Sequence, residues 1–467
     1  MFVSNESSRS KTLLVAVLMI GSFVAILNQT LMTTALPSIM KQMHLSSSTV
    51  QWLTSIFMLV NGIMIPITAF LIQRFSTRQL YFAALTFFIV GSLVAALSHS
   101  FGILLVGRAI QAMGAGIMMP LMQTVLFMVY PADKRGQAMG MFGLIIGFAP
   151  AIGPSVSGWI VSQYEWRVIF YLLLVVAIAD FIMALIFVKN VTDVTKPKVD
   201  VLSVILSTVG FASLLYGFSE AGNLGWGNAR VYAMIIFGAI VITLFVIRQL
   251  KMKTPLLNVR VFAYKSFTLN MILVVIVFVS FIGSQTVLSF YLQDLNGFSP
   301  LKSGLALMPG GIMVGILSPI TGRIFDKFGG KAMSIIGLAI VAVTSFLFTH
   351  LQAGAPFIFV SAVFMVSMMA NAMVMTPLTT AALNQLSRPM VPHGTSVNNT
   401  LRQVAAAMGS AILVTIMNTA VLNPHKYGID GLVHGVRVAY ATICVIAIIG
   451  IIFAIFNPTS RKGYNQS

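Results

Sequence analysis

Apolar residues run for about twenty positions at a time along this chain, and polar residues collect in short clusters between the runs. A run of about 20 apolar residues is what a helix needs to cross ~30 Å of hydrocarbon, where the backbone must satisfy its own hydrogen bonds. The pattern predicts fourteen such helices, over residues 13–36, 50–72, 80–98, 102–127, 137–162, 167–188, 201–219, 231–249, 266–292, 303–322, 332–350, 356–378, 399–421 and 435–456. The expected fold class is an all-α polytopic membrane protein. Arg9 and Lys11 precede the first run as they would in a signal peptide, but the run is long and lacks a small-residue cleavage site, so it reads as the first helix.

Composition agrees with the pattern: 58% of the 467 residues are hydrophobic and 8% charged, more apolar surface than a soluble core can hide. The net charge of +18 raises a nucleic-acid reading. With the N-terminus inside, however, twenty of the 28 Lys and Arg fall in inside loops and tails, six fall at outside ends, and Arg108 and Arg402 lie within helices. That is the positive-inside distribution, so topology accounts for the basicity without a nucleic-acid partner. It implies a multi-pass protein of the cell membrane with both termini cytoplasmic. One cysteine, Cys444, excludes an intrachain disulfide, and no cofactor or metal is expected.

An internal echo suggests how the helices are grouped. "AFLIQRFSTRQ" (residues 69–79) follows helix two and "GRIFDKFGGKA" (322–332) follows helix ten; aligned, Arg74 meets Lys327, Phe75 meets Phe328 and Arg78 meets Lys331. The expected domains are a six-helix bundle over 1–190, two inserted helices with charged, proline-bearing linkers over 191–264, and a second six-helix bundle with a tail over 265–467. Two bundles around a central cavity form the architecture of a secondary transporter. No phosphate-binding glycine loop and no enzyme constellation is evident.

Polar groups at membrane depth are tolerable where they face a wet cavity or a partner helix. The stretch "FVAILNQTLMTTALPSIM" places Asn28, Gln29, Thr30 and Thr33 there, and they are read as lining a transport path. Asn61, Gln123, Ser284, Gln285, Asn371 and Thr376 are further candidates, with Phe57 and Tyr291 as aromatic neighbours. The 34 Phe and 29 Met suit either adaptable cavity walls or lipid-facing packing. Gly147, Pro150, Gly153, Pro154 and Gly158 strip side chains and donors from helix five, which makes a tight, deformable seam or ordinary close packing.

Four stretches carry a family resemblance: "LNQTLMTTALPSIM", "LLVGRAIQAMGAGIMMP", "APAIGPSVSGW" and "YLQDLNGFSPLKSGLALMPGG". Together they resemble the major facilitator superfamily, specifically its fourteen-helix drug/proton antiporter branch, over nearly the whole chain. The resemblance implies the major facilitator fold, with two six-helix bundles plus two inserted helices. It implies a multidrug efflux transporter that expels lipophilic or cationic drugs by proton antiport and alternating access, in contact with lipid and acting as a monomer. It also implies that the helix-five glycines seal the inner side between the bundles, although Ser157 stands where the family usually has glycine. Arg108 is implied to take part in proton coupling; its other reading is an anchor for carbonyl groups. An arginine at that depth costs at least ~2.5 kcal/mol unless it snorkels or meets polar groups. Arg402, read as lying at the inner end of its helix, is expected to snorkel to water.

Two departures from the family pattern matter. Gln73 replaces the usual aspartate of the first echo, so a charge-based gate of Arg74, Arg78, Arg323 and Asp326 keeps its acid only in the second copy. Asn28 stands where an aspartate is usual, and an amide cannot carry a proton. Of the ten acids, Glu6, Asp133, Asp193, Asp200 and Asp326 fall in inside segments, and Glu165, Glu220, Asp294 and Asp430 near outer ends. Only Asp180 is deep, thirteen residues into helix six among apolar neighbours, where it either binds and releases protons or makes a helix–helix hydrogen bond. Asp294, beside an outward vestibule, is the second candidate for proton coupling. All six histidines are placed in or near loops. Two further readings stay open: an exporter of one endogenous metabolite or antibiotic with altered coupling, and a transporter-like receptor that moves nothing.

Overall fold

The structure is a computed structural model. It describes residues 8–192, 194–195 and 197–457. Glu6, Asp193, Lys196, Arg461 and Lys462 lie outside the described residues, as do the side chains of Arg9 and His425.

Among the described residues, fourteen helices are long and apolar enough to span a membrane. They are α1 (Ser8–Gln42), α2 (Ser47–Arg74), α3 (Thr77–Ala96), α4 (Phe101–Val129), α5 (Arg135–Gln163), α6 (Arg167–Phe187), α7 (Val201–Leu224), α8 (Ala229–Lys251), α9 (Lys265–Phe290), α10 (Pro300–Phe328), α11 (Lys331–Phe348), α12 (Phe357–Asn384), α13 (Val391–Thr419) and α14 (Pro424–Phe456). Their starts follow local chemistry. Ser46, Ser100 and Ser299 each accept a backbone N–H of the first turn of α2, α4 and α10, and Ser76 and Gln79 form a reciprocal capping box on α3. Pro300 stands at the first position of α10, where no N–H is required.

Several helices outrun the apolar runs that announced them. α13 begins at Val391 rather than 399, α10 continues to Phe328 rather than 322, and α12 continues to Asn384 rather than 378. Asp326 and Arg323 therefore sit in the last turns of a helix, not in a loop. A helix can extend beyond the hydrocarbon as long as its polar end meets water or another helix, and apolar content alone does not mark that end. His393, expected in or near a loop, is the third residue of α13 and buried.

α1 to α6 pack on one another, and α9 to α14 form a second bundle with its own apolar core around Leu288, Phe348, Phe364 and Tyr440. α7 and α8 pair with each other, and α7 also lies against α2 and α13. The two bundles meet along two seams, α5 with α10 and α2 with α13. The echo matches α2 to α10, and the same offset matches α5 to α13, so each seam is the repeat counterpart of the other. Arg74, Arg135 and Lys327 mark one end of the two bundles, the basic end.

Candidate functional site

The α5/α10 seam brings two backbones together. A side chain built on Gly322 would collide with the carbonyl oxygen of Gly136, and one on Gly136 with the carbonyl oxygen of Gly322. Further along, Gly147 faces the backbone of Gly311 and Gly315. At the basic end the Asp326 carboxylate accepts from Gly136 N–H at 2.7 Å and from Gln137 N–H at 2.9 Å. These are two of the four N–H groups that the start of α5 leaves without a helical partner, so the acid caps a helix of the other bundle and complements its dipole. Arg135 reaches across as well, donating to the side-chain oxygen of Asn384 at 3.1 Å.

The α2/α13 seam is joined at the same end by different groups. His393 Nδ1 accepts from the backbone N–H of Asn258, in the segment after α8, at 3.0 Å. A neutral ring that accepts at Nδ1 carries its hydrogen on Nε2; the Gln73 carboxamide, whose nitrogen is placed 2.7 Å from Nε2, accepts that hydrogen when turned to present its oxygen. Beside this seam α4 also reaches α13, Thr124 bonding Thr395 at 2.8 Å and Gln123 accepting from Asn399 at 2.7 Å; farther from the basic end, Gln403 of α13 donates to the carbonyl of Met58 on α2 at 3.2 Å.

Between the bundles, deep in the membrane-spanning layer, lies a small cavity. Met139, Phe142, Gly143 and Ile146 of α5 form one wall; Phe278, Phe281, Val314, Ser318, Asn371, Ala372, Met375, Thr376, Thr379 and Arg402 form the others. Arg402 is 7% exposed. Its Nη2 donates to Thr379 Oγ1 at 2.9 Å, its guanidinium lies 5.6 Å from the Phe278 ring centre, and its Nε has no partner. Asn371 donates to the Ser367 carbonyl at 2.8 Å, while its own side-chain oxygen has no partner.

Two polar clusters are buried within the first bundle. Arg108 donates to Asn28 Oδ1 at 2.7 Å, Gln111 Oε1 at 2.9 Å and the Leu53 carbonyl at 3.2 Å, with the Phe57 ring 4.5 Å from its guanidinium. Gln111 passes the network on to Ser92 at 2.7 Å. In the second cluster Tyr81 donates to Asp180 Oδ2 at 2.6 Å, between α1, α3 and α6, and Asp180 Oδ1 has no partner.

The family model of the Major Facilitator Superfamily matches residues 18–410. The chain belongs to that superfamily. This facilitator is 45% identical over 446 residues to the MFS-type transporter YcnB of Bacillus subtilis (strain 168), covering 95% of this chain and 94% of that one. It is 40% identical over 450 residues to the lincomycin resistance protein LmrB of the same organism, covering 94% of each. Among solved structures it resembles the human organic anion transporter MFSD10 (TETRAN), with a TM-score of 0.70 and 14% identity over 95% of this chain and 99% of that one, a likeness of fold. The protein is a multi-pass membrane transporter of the fourteen-helix facilitator type, not an enzyme.

The facilitator distributes its sequence-predicted residues over several places. Asn371 and Thr376 line the cavity, and Gln123 of α4 accepts from Asn399 of α13 in the other bundle. Asn28 and Phe57 turn to Arg108 instead of the space between bundles. Thr30 bonds the carbonyls of Leu27 and Ala149, packed against Gly153; Thr33 is exposed, and Gln29 and Gln285 are half-buried. Asn61 keeps a buried oxygen without a partner. Ser284 meets Tyr440 at 3.2 Å and Tyr291 donates to the Gln352 carbonyl at 2.6 Å, both inside the second bundle. Asp294 is exposed within the π-helical turn, Tyr291–Leu295, that follows α9.

Of the gating candidates, Gly147 lies on the cross-bundle seam and Gly153 against α1, while Gly158 makes ordinary contacts with Leu301 and Thr34. Pro150 and Pro154 lie inside an unbroken α5. Arg74 donates to the Pro197 carbonyl at 2.6 Å and Arg78 to the Leu185 carbonyl at 3.0 Å; Arg323 is exposed. Sequence reasoning missed Arg402 as a cavity residue. It stands about 17 Å along α13 from Val391 at 1.5 Å per residue, too deep to snorkel. The late start assigned to α13 hid that depth. The polar run "HGTSVNNTLRQ", continuous with helix-forming sequence, was the available sign.

Proposed function

We propose that this transporter exports lipophilic drug-like or toxic compounds across the cell membrane by alternating access in exchange for protons, acting as a monomer with both termini and the basic end cytoplasmic. The observation that carries the reading is the cavity between two bundles joined at one end by hydrogen bonds that can be exchanged for water. Breaking those bonds costs the molecule little once both partners are hydrated, so the cytoplasmic side can open. The relative named for lincomycin resistance supports an antibiotic or drug as cargo. Asp180 is the proposed proton site, because it is fully buried and one of its oxygens is uncommitted. Arg108 holds the amide that stands in for an acid and keeps α1, α2 and α4 in register around it.

The cavity lining holds no carboxylate, so of the lipophilic and cationic cargoes expected from sequence the lipophilic ones are favoured. An exporter of a single antibiotic or metabolite with altered coupling is the second reading, favoured by Asn28 being committed to Arg108.

Proteoliposomes with an imposed proton gradient separate these. Flux of lincomycin or a fluorescent lipophilic compound, linked to a lumenal pH change and abolished by Asp180→Asn but not by Asp294→Asn, is the expected result. Substrate flux without proton movement would overturn the antiport, and binding without flux would make the chain a receptor.

A further inference from the structure

We infer that the cavity receives the anionic end of an amphipathic organic acid, with Arg402 as the group that holds it. This rests on the exporter reading and narrows its cargo to a chemical class.

The cavity contains one formal charge and it is positive: no Asp or Glu is among its lining residues. A guanidinium buried at membrane depth is ordinarily compensated by a carboxylate or a full set of acceptors. Arg402 has a neutral hydroxyl, Thr379, and a weakly accepting sulfur, Met375, 3.8 Å from its Nη2; its Nε–H is buried and unpartnered. Arg108, the other deep arginine, shows the contrast. Its Nη2 is also buried without a partner, but three oxygen acceptors from α1, α2 and α4 meet its other nitrogens, and none of its contacts is a cavity-lining residue. Arg402 instead faces a space bounded by Phe142, Phe278 and Phe281, from both bundles. The free space is about 30 Å³, room for a water-sized group; as the bundles part, those rings suit a flat apolar body, and the guanidinium suits a carboxylate, phenolate or sulfonate attached to it, through charge-assisted hydrogen bonds strengthened by the low local dielectric. The free side-chain oxygen of Asn371 adds one acceptor for a hydroxyl or amide on the same molecule. A cation of the same shape would meet like charge and no counter-charge.

The test uses two probes with one apolar body and opposite charge, pyrenebutyrate and pyrenebutyltrimethylammonium. Binding is measured by fluorescence anisotropy on the whole protein in lipid nanodiscs, with empty discs subtracted. Wild type should bind the carboxylate about tenfold more tightly than the ammonium, the lower range for a hydrogen bond to a charged group. Arg402→Gln should erase that preference, and Arg402→Lys should keep part of it. Equal binding of the two probes by wild type, as an internal water on Arg402 would produce, overturns the inference without any variant having to fold. A preference that survives Arg402→Gln overturns it too. Flux of the same probes in proteoliposomes separates the two levels. If the carboxylate binds selectively but neither probe is moved, the exporter reading fails and the anion site stands; if only the ammonium is moved, export stands and the anion site fails.

Discussion

The two copies of the internal echo hold the same place in the two bundles and do the same job with different chemistry. Gln73 and Asp326 are aligned residues, each near the end of its helix, and each reaches the start of a helix in the other bundle. Asp326 takes two backbone N–H groups of α5 directly. Gln73 meets α13 through the His393 side chain, whose far nitrogen is occupied by Asn258 from the inserted segment. The first copy, without an acid, therefore still makes a cross-bundle contact, through a neutral relay that also ties in the insert. Neutral hydrogen bonds contribute about 1 kcal/mol each and those to a charged group roughly twice that, so the seams are held unequally.

The sharpest way to break this pairing is steric. Gly322 aligns with Ala69, which is fully buried without strain, whereas a methyl group at Gly322 would strike the Gly136 carbonyl. Gly322→Ala should weaken closure at the α5/α10 seam by about 1–3 kcal/mol, the usual cost of overpacking, and slow transport severely. Distances between spin labels at the basic ends of α5 and α10 would report it; unchanged distances would mean that the close approach is dispensable.

Removing one cap tests the inequality of the seams. Asp326→Ala should shift the same label distances towards the open form by about 2 kcal/mol, roughly thirtyfold in population, and Gln73→Ala by about 1 kcal/mol. A larger effect from Gln73 would reverse the ranking.

The smallest effect is expected for an acid outside the echo. Asp200 precedes α7 and pairs with Arg248 on α8 at 2.7 Å, within the insert. The Arg248 hydrogen bonds hold its carboxyl down at about 2. A depressed carboxyl stabilises the fold above its unfolded value of roughly 4 and loses that stabilisation as pH falls towards 2. Asp200→Asn should leave transport unchanged and shift the melting temperature by an amount that is constant from pH 5 to 8. A shift that varies across that window would show that another group titrates with it.

Much of this architecture was legible from hydrophobic runs alone, because each run must by itself satisfy a 30 Å layer. The helix count, their grouping through the "QRFSTR"/"DKFGGK" echo and the family followed from that pattern and four motifs. The site was read less well, for a physical reason. A polar residue at membrane depth signals only that it does not face lipid. It does not say whether it faces the gap between bundles, as Asn371 does, or a neighbour within one, as Asn28 and Ser284 do. That choice is fixed by helix rotation and by partners many residues away. Arg402 was misplaced because α13 starts in polar sequence, where hydropathy gives no boundary.

The packing of α7 against both α2 and α13 has a mechanical side. Trp52 of α2 stacks on Tyr216 of α7 at 5.8 Å, and Trp226, just beyond α7, donates to Thr415 of α13. A single helix is thus fastened to both covers of the same seam, while among the described residues no helix of the insert packs closely on α5 or α10. The two bundles are bound along one edge like a book and clasped along the other by the Asp326 cap.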